Sequence, residues 1–236
     1  MNEDGSSAGK LIERYWEDLL EAEPMLGTAI GDERFDDRLP DPGPAGRAQR
    51  ESLHRGALEE LGSFEIGALD EDRRVSLDIL EAIARRDLAA LEHRTDRLSA
   101  VSHLWGPAGL VGELASLQRA DTPERLDRYR ARIAATPAFY DAELEIMREG
   151  IADGVTAPRI VAERALAQTE RLLAAGADDS PALAPVPADD DAGREFLTRA
   201  IADHLLPALE RYRAGVRDYL PNATETIGLS ALPGGE

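Results

Sequence analysis

The sequence predicts an all-α fold, an irregular multi-helix array of about seven to nine helices, and three observations predict it. Ala, Leu, Glu and Arg dominate the chain, and all four are good helix formers. β-branched residues are sparse and rarely alternate with polar ones, so no stretch reads as a half-buried strand. Apolar residues recur instead at steps of three and four, the spacing of one helical face.

The first helix is expected from Ala8 to Glu23, stopped by Pro24. The glycines, prolines and aspartates of Pro24 to Pro42 favour turns and oppose a regular element. A second helix is expected from Ala45 to Leu61, with Leu53, Ala57, Leu61 and then Phe64 along one stripe. Asp70 is placed to cap a third, whose apolar face is Leu77, Leu80, Ala84, Leu88 and Leu91. The chain breaks at Trp105-Gly106-Pro107 before a short segment carrying Leu110, Val111, Leu114 and Leu117. Thr122-Pro123 and Thr136-Pro137 each pair an N-cap residue with a proline suited to the first helical position. The helix after Thr136 repeats Tyr140, Leu144, Met147 and Ile151 and closes between Gly150 and Gly154. Another runs from the Thr156-Ala157-Pro158 region to a stop at Gly176. Asp178 to Asp191 reads as an exposed loop. After Asp189-Asp190-Asp191, whose charge suits a helix N-terminus, Leu205, Leu209, Tyr212, Val216 and Tyr219 mark a long helix, kinked or restarted at Pro207. The tail beyond Leu220 carries Ile227, Leu229 and Leu232, which call for cover.

Composition bounds the function. With 43% hydrophobic and 31% charged residues the chain can bury a core and stay in solution. No apolar run approaches the roughly 20 residues of a membrane helix. A net charge of −19, from 46 acidic against 27 basic side chains, repels polyanions, because Arg and Glu alternate along most segments. Neither nucleic acid nor an anionic membrane surface is therefore an expected partner, and the charge serves solubility. There is no cysteine, which excludes disulfides, thiolate zinc sites and cysteine nucleophiles together. The opening Met1-Asn2-Glu3-Asp4-Gly5-Ser6-Ser7 is acidic and polar, without the features of a secretion signal, and the expected location is cytoplasmic.

Chemistry-bearing patterns are few. The histidines are His54, His93, His103 and His204, and no two have the His-Glu-x-x-His spacing that sets two imidazoles on one helical face for zinc. Glu51-Ser52-Leu53-His54 has the Glu-x-x-His spacing of carboxylate-bridged di-metal bundles, but those need a second copy and two further inward glutamates. His204, beside Leu205 and Leu206, reads as a partly buried or surface histidine. There is no Gly-x-Ser-x-Gly elbow and no Ser-x-x-Lys. Gly106, Gly109 and Gly112 do not make a phosphate loop, since their spacing is too regular and no strand precedes them. Asp32, Asp36, Asp37 and Asp41 lack the ligand alternation of a calcium loop and read as turn formers. Trp16 and Trp105, with Tyr15, Phe35, Tyr129, Phe139, Tyr140, Tyr212 and Tyr219, read as packing and not as a ligand cage.

Three stretches carry a likeness to a known family. The first runs from Glu23-Pro24 through Leu26-Gly27 to Gly31-Asp32-Glu33-Arg34-Phe35-Asp36-Asp37-Arg38-Leu39-Pro40-Asp41. The second is Arg148-Glu149-Gly150-Ile151-Ala152-Asp153-Gly154 followed by Pro158-Arg159. The third is Leu206-Pro207-Ala208 through Gly228-Leu229-Ser230-Ala231-Leu232-Pro233-Gly234-Gly235-Glu236. In order and spacing they resemble the N-terminal part of the bacterial domain of unknown function family 885, from residue 11 to residue 236.

The resemblance implies the N-terminal portion of a larger helical fold, in a family of zinc metallopeptidases of the gluzincin type. In such proteins a His-Glu-x-x-His helix and a downstream glutamate bind zinc in the later part of the chain, and the motif glutamate activates the attacking water. The present sequence stops in a proline-glycine turn before any such motif, so no catalytic residue carries over and the chain is expected to be inactive by itself. The expected organisation is a flexible 1–10, a helical domain over 11–220, and a segment 221–236 leading toward a missing C-terminal catalytic region that would hold the zinc. By analogy the helices form a wall or lid of a peptide-binding groove, with Leu232, Pro233, Gly234, Gly235 and Glu236 running toward the cleft. Glu236 would offer its carboxylate to a substrate amine, or be a solvated terminal residue. The rival reading is a self-standing helical interaction module without enzymatic activity, either by itself or as a homodimer joined along the long last helix. Substrate and oligomeric state stay open at this level.

Overall fold

The computed structural model describes residues 3–104, 106–228, 230, 232 and 233. Among them there is no strand, and the α-helical segments number eleven, of which nine have eight residues or more. The all-α expectation and its helix count both hold. The segments are α1 (Glu3–Ala22), α2 (Pro24–Ala29), α3 (Pro44–Leu61), α4 (Glu71–Glu92), α5 (Asp96–Ser99), α6 (Leu110–Leu117), α7 (Pro123–Ala134), α8 (Thr136–Ala152), α9 (Arg159–Ala175), α10 (Asp191–Ala200) and α11 (Leu206–Tyr219).

The chain forms two compact units, Met1–Glu23 with Pro44–Thr95, and Pro24–Gly43 with Asp96–Glu236. The first is built on α1, α3 and α4, each packed on the other two. α1 buries Ala8, Leu11, Tyr15, Leu19 and Ala22, spaced three and four apart. α4 is capped as its sequence requires, the Asp70 side chain accepting the Arg73 N–H at 3.0 Å, and it buries Leu77, Leu80 and Ala84. α3 departs from expectation in its rotation. Its buried stripe is His54, Ala57 and Leu61, and Leu53 is only half-buried. A histidine sits where the hydrophobic pattern alone puts a leucine.

In the second unit α11 is the spine, packed along both α8 and α9. The expected stripe is borne out, with Leu205, Leu209, Tyr212, Val216 and Tyr219 all essentially inaccessible. A π-helical turn over Ile201–Leu205 separates α10 from α11 and accommodates Pro207, which has no N–H to give to a preceding carbonyl. Three buried tyrosines fasten irregular segments to helices through their hydroxyls. Tyr129 donates to the Ala182 carbonyl, Tyr140 to that of Pro107 and Tyr212 to that of Ala100, each at 2.9 Å. A buried phenol needs such a partner, and a loop carbonyl under cover needs the donor.

Three more local expectations are corrected. Pro24–Ala29 is helical, since Pro24 suits a first turn and the small Gly27 and Thr28 permit close burial. Thr136 does not cap α8, because its hydroxyl donates back to the Ile133 carbonyl at 2.7 Å and α7 runs almost straight into α8. Thr122, by contrast, caps α7 as expected by accepting the Arg125 N–H. Asp178–Asp191 is not merely an exposed loop: its 3-10 turn Pro181–Leu183 buries Ala182 and Leu183, and Val186 follows. Gly176 ends α9 with φ 66°, as its position implied.

Candidate functional site

The second and third family-like stretches meet in the structure. Following α8, the Val155 N–H donates to the Gly150 carbonyl at 2.8 Å, and a Cβ on Gly150 would stand 2.8 Å from the Val155 oxygen. Only glycine lets the backbone return that closely. The returning segment then straps the end of α11. Thr156 Oγ1 donates to the Asn222 carbonyl at 3.1 Å, the Ala157 N–H to the Tyr219 hydroxyl, and the Arg159 N–H to the Thr224 carbonyl at 2.8 Å. Pro158 and Thr224 form an isolated parallel bridge, and the Arg159 guanidinium pairs with Glu225.

Beyond this strap Ile227 is 78% exposed, so the cover its apolar side chain calls for is not supplied among the described residues. Of the residues expected at a cleft, Leu232 is half-buried and Pro233 exposed, with Pro233 Cγ 3.9 Å from where a Cβ on Gly154 would stand. Gly234, Gly235 and Glu236 lie outside the described residues, as do Trp105, Leu229 and Ala231.

The first stretch is organised around a residue that sequence reasoning missed. Arg132 of α7 is completely buried, and burial lowers its guanidinium pKa to about 10, against the pull of Asp36 and Asp37. Its Nε donates to the Arg38 carbonyl at 2.9 Å, one Nη to Gln118 Oε1, and the other to Thr28 Oγ1 at 2.8 Å and to the Phe35 carbonyl. Thr28 donates in turn to the buried Asp36 at 2.7 Å. Two acceptors are carbonyls of the turn over 32–41, and the other two, Thr28 and Gln118, each donate to Asp36 within it, so the stretch is a polar clamp that docks its own loop on α7. Nearby Glu33 accepts from Arg125 at 2.9 Å and Arg128 at 3.0 Å. The aspartates act as turn formers: Asp32 takes the Arg34 N–H and Asp41 the Gly43 N–H.

The first unit holds a smaller polar constellation. Tyr15 of α1 lies 3.2 Å from His54 Nδ1 of α3, and His54 Nε2 lies 3.8 Å from Asp87 of α4. Both Tyr15 and His54 are buried. Burial, with Asp87 helping, pushes the Tyr15 hydroxyl up to about 12, while burial holds His54 below its ordinary value. The neutral imidazole then keeps its proton on Nε2, toward Asp87, and Nδ1 accepts from the tyrosine. A groove of about 640 Å³ opens beside Tyr15, walled by Arg14, Asp18, Gln49 and Glu60 among others. A neutral Tyr–His pair under such cover is arranged for holding three helices together.

Among the described residues the donor set does not fit zinc. Among the described residues no group of three or more His, Asp or Glu side chains converges in a geometry for a metal ion. Glu51 is exposed and taken by Arg55 at 2.8 Å, whereas His54 points inward from the same helix, so the Glu-x-x-His spacing brings nothing together. His204 is half-buried in the π-helical turn, as its neighbours implied. Among the described residues no helix is long and apolar enough to cross a membrane.

Comparison with known proteins adds the wider frame. A solved structure from Colwellia psychrerythraea, described as a "putative lipoprotein", superposes with a TM-score of 0.80 at 12% identity, covering 97% of this chain and 44% of its own. A "putative lipoprotein of unknown function" from Shewanella oneidensis superposes with a TM-score of 0.64 at 18% identity, covering 91% of this chain and 38% of its own. At these identities the likeness is one of fold, and the chain spans less than half the length of either. No curated protein matches the chain significantly. The cytoplasmic expectation is corrected by these neighbours, both described as lipoproteins. It rested on the acidic, polar opening segment, which lacks secretion-signal features, and on the absence of cysteine, neither of which fixes the compartment. Residues 24–236, nine-tenths of the sequence, match the family described as "Bacterial protein of unknown function (DUF885)", and the chain belongs to that family.

Proposed function

We propose that this chain is the non-catalytic helical region of a zinc-dependent, peptidase-like hydrolase, and that its helices form a wall or lid of a peptide-binding groove. One observation carries the reading: nearly the whole chain superposes on less than half of a longer folded protein, while its own histidines and carboxylates are kept apart or spent on arginines. On this reading the zinc and its ligands belong to a C-terminal catalytic region beyond residue 236, and the metal supplies a water activated for attack on a peptide bond. The strap between Thr156–Arg159 and the residues after Tyr219 supports it, because it fixes where the chain departs toward that region. The exposed Ile227 supports it too, as an apolar side chain that a following domain would cover. The neighbours' descriptions favour a place outside the cytoplasm or at a membrane.

The test is a zinc-supplemented peptidase assay on the 236-residue chain, together with the coding sequence beyond residue 236. An in-frame His-Glu-x-x-His, and turnover only from the polypeptide that includes it, is the expected result. Turnover by the 236-residue chain overturns the proposal. Against the rival module, a homodimer along the last helix, stands the burial of the α11 stripe within its own unit.

A further inference from the structure

The charges of this protein include one arrangement that bears on function. Its arginines are largely committed to carboxylates even at the surface: Arg125 to Glu33 and Asp121, Arg97 to Asp153, Arg211 to Asp141, Arg217 to Glu170. On α9, Arg164 and Arg171 have no carboxylate partner among the described residues, and both are exposed. They stand at positions i and i+7, with Gln168 between them at i+4, so all three project from one face of the helix. Ala167 leaves space beside them. A cavity of about 340 Å³ results, lined among the described residues by Arg164, Ala167, Gln168, Arg171 and, from the segment after α5, His103. His103 Nδ1 is itself buried and lacks a hydrogen-bond partner.

From this geometry we infer that the α9 cavity binds the oxyanion of a small ligand, a carboxylate or a phosphate group. Every polar group that lines it can donate. Two guanidiniums offer paired N–H groups matched to oxyanion geometry, the Gln168 amide offers two more, and the imidazole offers another. Unneutralised arginine is costly neither to fold nor to solvate at a surface, but two of them around one concavity concentrate positive potential in a chain whose net charge is −19. The adjacent Glu170 does not compete, since it is held by Arg217 at 2.5 Å. The volume suits a small molecule and is too small for a folded partner. The inference does not rest on the peptidase reading and survives its failure.

The test uses the histidine ring signals of the full chain, of which there are four, with His103 identified by H103Q. Inorganic phosphate and acetate are titrated separately, against sodium chloride at equal ionic strength. A saturable shift of the His103 signal with phosphate or acetate, and not with chloride, is expected, and the responding anion names the ligand's class. R164Q and R171Q should each weaken the binding about tenfold, the loss of a charge-assisted hydrogen bond, with unchanged circular dichroism. A His103 signal that stays put in both titrations overturns the inference. So does a shift that chloride reproduces, or one that R164Q/R171Q leaves intact.

Discussion

Arg132 donates to the Thr28 hydroxyl at 2.8 Å across 104 positions of sequence, and Thr28 donates its own hydrogen bond to Asp36 at 2.7 Å. The relay lies out of solvent, so each group depends on the others for its hydrogen bonds. Replacing Arg132 with Met should leave the Arg38 and Phe35 carbonyls, Gln118 and Thr28 without their donor, at about 3–5 kcal/mol of stability. Lysine should not rescue it, because one ammonium cannot span acceptors that the planar fork reaches. Arg128, half-buried on the same helix, makes only an ion pair with Glu33, and R128Q should cost about 0–1 kcal/mol. Urea unfolding of the three variants checks this; equal losses for R132M and R128Q would deny the clamp its role.

Gly27 should tolerate no side chain. A Cβ there would stand 2.6 Å from Phe35 Cδ2, and the ring cannot withdraw because it is buried and the Arg34 and Arg38 guanidiniums lie 5.0 and 5.3 Å from its centre. Helix propensity alone favours alanine at this position by about 1 kcal/mol. Overpacking opposes it at about 1–3 kcal/mol, so G27A should be destabilising on balance. A melting temperature raised in G27A would show that the ring yields.

These two positions mark the limit of what the sequence discloses. Helices with a strong three-four period, from the α1 face to the α11 stripe, follow from pattern because one apolar face must be buried. Caps such as Asp70 and Thr122 are equally legible, since the cap chemistry is local. Arg132 is not, as a single arginine among many carries no local mark of burial, and its acceptors come from residues 28 to 118. His54 escaped for a related reason: Leu53 is the better hydrophobe, and only the seating of α3 between α1 and α4 decides which of the two turns inward. The first family-like stretch was recognisable as a pattern, but its purpose as a docking clamp is visible only once α7 lies beside it. The α9 cavity needed knowledge of which arginines lack partners, which no spacing supplies.

His54 should make stability depend on pH in a defined direction. Burial holds its folded pKa below the ordinary 6.5, so the folded state binds fewer protons than the unfolded one at and below that value. Its contribution is complete above pH 6.5 and is lost as pH falls toward the depressed folded value. Glu23 acts with the opposite sign. Burial raises its pKa above 4.5, with Arg50 at 3.6 Å opposing the shift, so its contribution is present below 4.5 and is lost as pH rises through the raised value. In thermal unfolding series between pH 5 and 7, H54L should flatten the rise of stability with pH, and E23Q should steepen it. Parallel curves for all three proteins would show that burial shifts neither group.

Tyr219 should hold the strap to the end of α11. Its buried hydroxyl accepts the Ala157 N–H, and burial drives its pKa upward, so it stays neutral and in place. Tyr219→Phe keeps the ring but leaves a covered backbone N–H without an acceptor, a loss of about 1–2 kcal/mol. The Arg159–Glu225 pair lies largely in solvent and cannot replace that bond, so R159Q should change global stability by less than about 1 kcal/mol. The two variants should therefore separate two quantities. Y219F lowers the urea midpoint and also speeds hydrogen exchange at Ala157, while R159Q leaves the midpoint and speeds exchange only near Thr224. If Y219F leaves the Ala157 amide as protected as before, the N–H has another acceptor and the strap is held by Thr156 and Thr224 instead.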